Sequence, residues 1–425
     1  MTDKTDKPTI FVTGASNGIG ACLADMAKAS GFCVRTTGRS GGDLRKDLMD
    51  ADAPQVLADF AKGSDMAVLN AAIAPGAGMH TEITVNLLRQ MQLALLLLKQ
   101  NPKVKIAFVG SVISGAIIPA YCAAKAGLAA FARALAAEFP GQILLFHPSG
   151  TQSKFMERTG VTHPGHLDRT QAVAGRLFSL LQKQSYPWRR PATWKAWAID
   201  WVAKLALIKG PKPEVFAGGT TLITGAASGL GKAFYTQTKS AIGLDLADAD
   251  VAADLSQPLP KLPPADRLIN CAEANWTGQT LDMPYGEIER LVQINLLSPL
   301  ALEDVLSPMQ IIQISSLSHQ LGHPYGAVYA ATKSALAIWG QCRGHIVVYP
   351  EMGAPQISSA HLGNKSSTRI GGSAKIARQV LKASTIGQRQ LVPGLANKVL
   401  RVIGRLFPHI STGILARNQR RRLSS

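Results

Sequence analysis

The chain has 425 residues, of which 46% are hydrophobic and 17% charged, with a formal net charge of +18; that length exceeds one ordinary core and fits two domains of about 200 residues each. Its five cysteines (Cys22, Cys33, Cys122, Cys271, Cys342) are scattered with no C-x-x-C pair, which argues against a disulfide framework or a thiolate metal site and predicts a reducing, cytoplasmic setting. The start, M-T-D-K-T-D-K-P, has no apolar signal core, and the longest aliphatic run, around Leu93–Leu98, falls far short of the roughly 20 residues of a membrane span.

Taken in chain order, an apolar strand T-I-F-V runs into T-G-A-S-N-G-I-G at Thr13–Gly20. A glycine-rich turn between a strand and a helix aims backbone N–H groups and the helix N-terminus at a phosphate. A second strand ends in T-T-G-R-S with Arg39, a third in V-L-N-A-A at Asn70, and a helical V-N-L-L carries Asn86. An apolar strand ends in F-V-G-S at Ser111, and Y-C-A-A-K follows at Tyr121–Lys125. Positions i and i+4 share a helix face, so this phenol and ammonium address one bound molecule. From Arg176 to Pro213 the chain holds 8 basic residues and one acidic residue, Asp200.

The second half repeats the series in order. T-L-I-T-G-A-A-S-G-L-G carries Gly225, Gly229, Leu230 and Gly231; G-L-D-L-A-D carries Asp245; L-I-N-C-A carries Asn270 and I-N-L-L carries Asn295; I-Q-I-S-S ends at Ser316, and Y-A-A-T-K spans Tyr329–Lys333. Partners lie 200 to 211 residues apart, a register that marks a duplicated unit. Strands alternating with helices predict a doubly wound α/β fold with a parallel sheet in each half, over 1–175 and 218–372, each followed by a basic amphipathic segment, 176–217 and 373–425.

Together these motifs resemble the short-chain dehydrogenase/reductase family, over roughly residues 8–160 and 218–360. The resemblance implies two Rossmann-type domains that transfer a hydride between a nicotinamide cofactor and a carbonyl or secondary alcohol. It implies the catalytic sets Asn86, Ser111, Tyr121, Lys125 and Asn295, Ser316, Tyr329, Lys333. Cofactor contacts implied are Gly14, Ser16, Gly18, Ile19, Gly20, Asp47 and Asn70 in the first unit, and Gly225, Gly229, Leu230, Gly231, Asp254 and Asn270 in the second. By the same resemblance, Arg39 favours NADP in the first unit and Asp245 favours NAD in the second. In such a set tyrosine protonates the carbonyl oxygen, lysine lowers the phenol pKa and holds a ribose, serine fixes the carbonyl, and asparagine holds a water in the proton path.

Departures from the family pattern fall at different places. Ser316 lies 13 residues before Tyr329 but Ser111 only 10 before Tyr121, which predicts a shortened loop and a displaced Ser111. The first unit reads P-S-G-T-Q-S at Pro148–Ser153, close to the family's P-G and threonine, whereas the second reads P-E-M-G at Pro350–Gly353. The glycine that usually ends the third strand is Ala72 in the first unit and Glu273 in the second. Three arrangements fit: two active units, one active unit beside a structural or cofactor-sensing one, or a nicotinamide sensor without turnover.

The tails add partners to the expectation. Trp194, Trp197, Trp201, Leu205 and Ile208 recur at helical spacing among lysines, as do Leu395, Val399, Val402, Ile403 and Leu406 among Lys398, Arg401 and Arg405. From Met352 to Ser425 there are 13 Lys or Arg and no acid. Such helices suit an anionic membrane surface reached from the cytoplasmic side, with an apolar or lipid-like substrate, or else pack on their own domain. No nucleic-acid motif accompanies the charge. The family's usual C-terminal strand has no sequence counterpart, which makes the tails candidates to replace it. The halves could pack as a built-in dimer, or the chain as a homo-oligomer.

Overall fold

The computed structural model describes residues 7–111, 118–148, 150–158, 167–183, 189–191, 211–276, 278–317, 323–350 and 370–406. The chain divides into two compact units, Met1–Ala206 with Gln279–Asp282, and Leu207–Gly278 with Met283–Ser425.

In unit 1 the strands are β1 (Thr9–Thr13), β2 (Cys33–Gly38), β3 (Leu44–Arg45), β4 (Met66–Leu69), β5 (Lys105–Val109), β6 (Ile143–His147) and β7 (Arg189–Pro191). They form a sheet in the order β3-β2-β1-β4-β5-β6-β7, every pair parallel. Its helices are α1 (Gly18–Ala29), α2 (Ala53–Phe60), α3 (Met79–Ile83), α4 (Arg89–Gln100), α5 (Pro119–Glu138), α6 (Lys154–Arg158) and α7 (Thr170–Leu181). The short runs I-F-V and I-A-F-V are buried on both faces, as parallel strands covered by helices must be. One face packs on α1 and α7, where Leu23, Ala27, Val173 and Leu177 meet Ile10, Val12 and Leu144.

Unit 2 repeats the plan. Strands β8 (Thr221–Thr224), β9 (Ala241–Asp245), β10 (Val251–Ala252), β11 (Arg267–Asn270), β12 (Gln310–Ile314), β13 (Ile346–Val348) and β14 (Gln390–Leu391) take the order β10-β9-β8-β11-β12-β13-β14. Its helices are α8 (Gly229–Gln237), α9 (Tyr285–Val292), α10 (Ser298–Leu306), α11 (Ala327–Arg343), α12 (Ile370–Ser384) and α13 (Leu395–Leu406). In each sheet the order reverses beside the first strand, which opens a crevice at the carboxyl ends of the strands.

Both sheets run past the boundaries expected from sequence. Helix α7 buries Val173, Leu177 and Leu181, and α12 buries Ala377 and Val380, so each belongs to the core of its unit rather than to a linker or tail. Strands β7 and β14 fall inside the expected basic segments and supply the seventh strand. Two residues suffice for β14 because Val347 and Tyr349 donate to the carbonyls of Arg389 and Leu391, 3.0 and 2.9 Å. No helix among the described residues is long and apolar enough to cross a membrane.

In each unit one π turn, Thr84–Leu88 and Gln293–Leu297, leads into a long helix, α4 or α10. Such turns insert one residue into a helix and cluster at functional sites. Asn86 and Asn295 sit inside them.

Candidate active site

In unit 1 the turn after β1 passes through Gly14 (φ +68°) and Gly18 (φ +64°), in the left-handed region that side chains strain. A Cβ on Gly14 would lie 2.7 Å from the Cα of Ala71, and one on Gly20 would lie 2.5 Å from the carbonyl oxygen of Gly14. Glycine therefore lets α1 start hard against the sheet. Asn17 makes no side-chain cap there, so the N–H groups of the first turn keep their pull on an anion. Thr13 Oγ1 accepts from the N–H groups of Asn70 and Ala71, 3.0 Å each, while Asn70 Nδ2 donates to the carbonyls of Thr13 and Gly14 at 3.1 and 3.2 Å. These bonds lock the end of β4 to the glycine turn.

A cleft of about 560 Å³ opens at this point. Of the residues expected from sequence, Gly14, Ser16, Gly18, Ile19, Arg39, Asp47, Asn70, Ser111, Tyr121 and Lys125 line it. Gly20 lies beneath the turn. At the end of β2 a Cβ on Gly38 would run into Ser16 Oγ, so no acid fits there, and exposed Arg39 stands next on the rim. Asp47 lines the same wall and accepts from Met49 N at 3.0 Å.

Tyr121 and Lys125 rise from the first turns of α5, both buried. Burial pushes the Tyr121 phenol well above its ordinary range, opposed by a hydrogen bond with Ser111. Ser111 is therefore not displaced: the shorter spacing to Tyr121 still brings it to the phenol. Lys125 Nζ donates to the carbonyl of Val109 at 2.9 Å and stands 5.8 Å from the centre of the Tyr121 ring. Burial lowers its pKa to about 8 because water no longer stabilises the cation.

Asn86 departs from expectation. Its Oδ1 accepts from Ile73 N at 2.8 Å and its Nδ2 donates to Ile73 O at 3.1 Å. The amide thus clamps the loop after β4 instead of presenting a water. Asn295 does the same to Ala274, with both bonds at 2.8 Å.

Unit 2 has the same glycine turn, with Gly225 at φ +72° and Gly229 at +54°. Gly231 packs under Gly225, and Leu230 packs against the core of the unit. Asp245 ends β9; its carboxylate accepts from Ala227 N at 2.9 Å and Leu246 N at 2.8 Å, so it caps the turn. Asp254 accepts from Ser256 N at 2.8 Å in an exposed turn.

Asn270 is a correction. Val12 pairs with Val68 and Ile223 with Ile269, which sets Cys271, not Asn270, opposite Asn70. Cys271 and Ala272 donate to Thr224 Oγ1 at 3.0 Å, as Asn70 and Ala71 do to Thr13. Asn270 lies within β11, 2% exposed, and donates to Gln313 Oε1 at 3.0 Å. It belongs to the sheet interior and not to a cofactor wall.

Ser316, Tyr329 and Lys333 come together, and a group unforeseen in sequence joins them. Tyr329 Oη donates to Glu273 Oε2 at 2.9 Å, and Lys333 Nζ bonds that same oxygen at 2.6 Å and the carbonyl of Ile314 at 3.0 Å. Burial first, then the Glu273 charge and hydrogen bond, push the Tyr329 phenol far above its ordinary range. In the sequence Glu273 stands out only as the residue that replaces a glycine.

Further residues missed in unit 1 are Phe155, whose ring lies 5.7 Å from that of Tyr121 and lines the cleft, and Glu82. The Glu82 carboxylate accepts from Gly76 N at 2.8 Å and from the Tyr121 backbone, bracing the start of α5. A carboxylate four residues before Asn86, in a buried helical run, was the available signal.

Residues 235–343 match the family model described as short chain dehydrogenase. The matched segment begins within α8 and ends with α11, so it holds Asn295, Ser316, Tyr329 and Lys333, all in unit 2. No curated protein matches the chain. Among solved structures, an N-terminal ketoreductase from a macrolactin assembly line is 12% identical with a TM-score of 0.57, over 91% of this chain and 87% of that one. A short-chain dehydrogenase from Streptomyces avermitilis is 17% identical over 48% and 94%, TM-score 0.41. One from Sphingobium yanoikuyae, in complex with NADPH, is 18% identical over 49% and 98%, TM-score 0.38. The likeness to the ketoreductase supports the α/β architecture.

Proposed function

We propose that the chain is an NAD(P)-dependent oxidoreductase of the short chain dehydrogenase type, acting on a carbonyl or secondary alcohol, with its working site in unit 1. The observation that carries this reading is the cleft in which the glycine turn, Arg39, Ser111, Tyr121 and Lys125 all meet. The residues present fit a dinucleotide: Gly14 and Gly20 leave a cradle that any Cβ would fill. Gly14, Ser16, Gly18 and the start of α1 would hold the pyrophosphate, Asp47 and Asn70 the wall beside it, and Lys125 a ribose. When bound, nicotinamide supplies or accepts the hydride. Ser111 and Tyr121 then fix the substrate oxygen, and Tyr121, protonated at neutral pH, delivers its proton there as the carbonyl becomes an alcohol.

Titrating the purified chain calorimetrically with NADPH and with NADH tests the reading; failure of both to bind overturns it. Arg39 at the rim, beside a β2 end too crowded for an acid, favours NADPH in this unit. A charge-assisted bond to a phosphate is worth about 1.5–3 kcal/mol, so Arg39→Ala should weaken NADPH about 10- to 100-fold and leave NADH unchanged.

A second reading concerns location. In α13 Asn397 is buried, while Leu395, Val399 and Val402 are 78%, 51% and 54% exposed. Arg401 lies on the inner side, 4.5 Å over the Tyr349 ring. The apolar stripe therefore faces outward, the reverse of a helix packed on its own domain. Beside 13 basic residues and no acid after Met352, it suits peripheral contact with anionic lipid. Flotation should show the protein on anionic vesicles at low salt, released by Val399→Glu; a wild-type chain that stays unbound removes the reading. The tryptophan stretch of the first tail, with Trp194, Trp197 and Trp201, lies outside the described residues.

A further inference from the structure

We propose that Glu273 takes unit 2 out of nicotinamide chemistry, its carboxylate standing where unit 1 leaves open cleft and holding both groups, Tyr329 and Lys333, that a substrate oxygen and a ribose would need. The positional equivalence is fixed by backbone. Thr13 bonds the N–H groups of Asn70 and Ala71, and Thr224 those of Cys271 and Ala272. Asn86 clamps Ile73, and Asn295 clamps Ala274. The residue between is Ala72 in unit 1, a methyl on the cleft wall, and Glu273 in unit 2.

The same oxygen of Glu273 accepts from Tyr329 and from Lys333. Such a bond consumes the phenolic proton that would go to a carbonyl, and the ion pair neutralises the cation that would favour a phenolate. Cys271, in the place of Asn70, is itself half-buried, its thiol pushed up to about 12 by desolvation, then by Glu273 and Asp245 against Lys333. The groups facing Tyr329 are thus Glu273, Ser316, Cys271 and Lys333. Unit 2 keeps the glycine turn and the tyrosine–lysine helix while the carboxylate satisfies them internally. Glu273 acts through these two partners as a positioning residue.

The test uses the full chain and compares Glu273→Ala and Glu273→Gln with wild type. Calorimetry with NADH and NADPH should show Glu273→Ala gaining one site per chain over wild type. Glu273→Gln still fills the space and should gain none. Tyrosinate absorbance, read as the difference between each protein and the same protein carrying Tyr329→Phe, should show Tyr329 ionising at lower pH in both variants. It is pushed down because Lys333 then acts on the phenol unopposed. No gained site in Glu273→Ala, or an unmoved Tyr329 titration in Glu273→Gln, overturns the proposal. The readout is a difference from wild type, so it stands apart from the unit 1 reading, which fails if wild type itself binds no cofactor.

Discussion

Tyr121→Phe should abolish most carbonyl reduction while leaving cofactor affinity intact. Removing a positioned proton donor costs about 10²–10⁴-fold in rate, and the phenylalanine ring keeps the packing against Phe155 at 5.7 Å. The matching change Tyr329→Phe should cost little, because that phenol already donates its hydrogen bond to Glu273. Equal losses in the two variants would refute the assignment of turnover to unit 1. A pH profile adds a second check. With the Lys125 pKa lowered to about 8 by burial, the ammonium beside the phenol is present below that pH and lost above it. The reductive rate should therefore fall as pH rises through about 8, and Lys125→Arg, which stays charged, should remove that limb.

Gly14→Ala should both destabilise unit 1 and remove cofactor binding. At φ +68° an alanine carries the left-handed penalty of about 1–2 kcal/mol. Its Cβ would also meet the Cα of Ala71 at 2.7 Å, a backbone atom that β4 holds in place. The sum should reach about 3 kcal/mol. Gly31, with φ +85° and nothing within 4 Å of a Cβ, is the control: Gly31→Ala should show the conformational penalty alone. Denaturant unfolding of the two variants separates strain from collision. Equal losses would mean that the turn can yield.

Much of this was legible in the letters. The glycine turn, the paired tyrosine–lysine helices and the alternating strands carried the fold, since apolar runs bounded by turns specify a parallel sheet directly. What failed depended on register. The letters N-A and N-C invite a match of Asn70 with Asn270, yet β4 and β11 end at equivalent places, Leu69 and Asn270, so Asn70 lies one residue past its strand and Asn270 is the last residue of its own. Side chains alternate across a strand, so that single step sends Asn270 into the sheet and Glu273 into the site. The seventh strands escaped because two or three residues paired at an edge leave no periodic trace. The outward stripe of α13 has the same cause: its spacing gives a face, and only the Arg401–Tyr349 contact says which way the face turns.

The π turns at Asn86 and Asn295 impose a bound on length. A helix advances about 100° per residue, and a π turn absorbs one extra residue without rotating the helix beyond it. Deleting Val85 would let the segment relax to ordinary pitch with α4 unrotated, and Asn86 would lose the position from which it reaches Ile73. The clamp therefore depends on the extra residue itself, and shortening the turn by one residue would uncouple the loop beside Tyr121 even with every functional side chain still present.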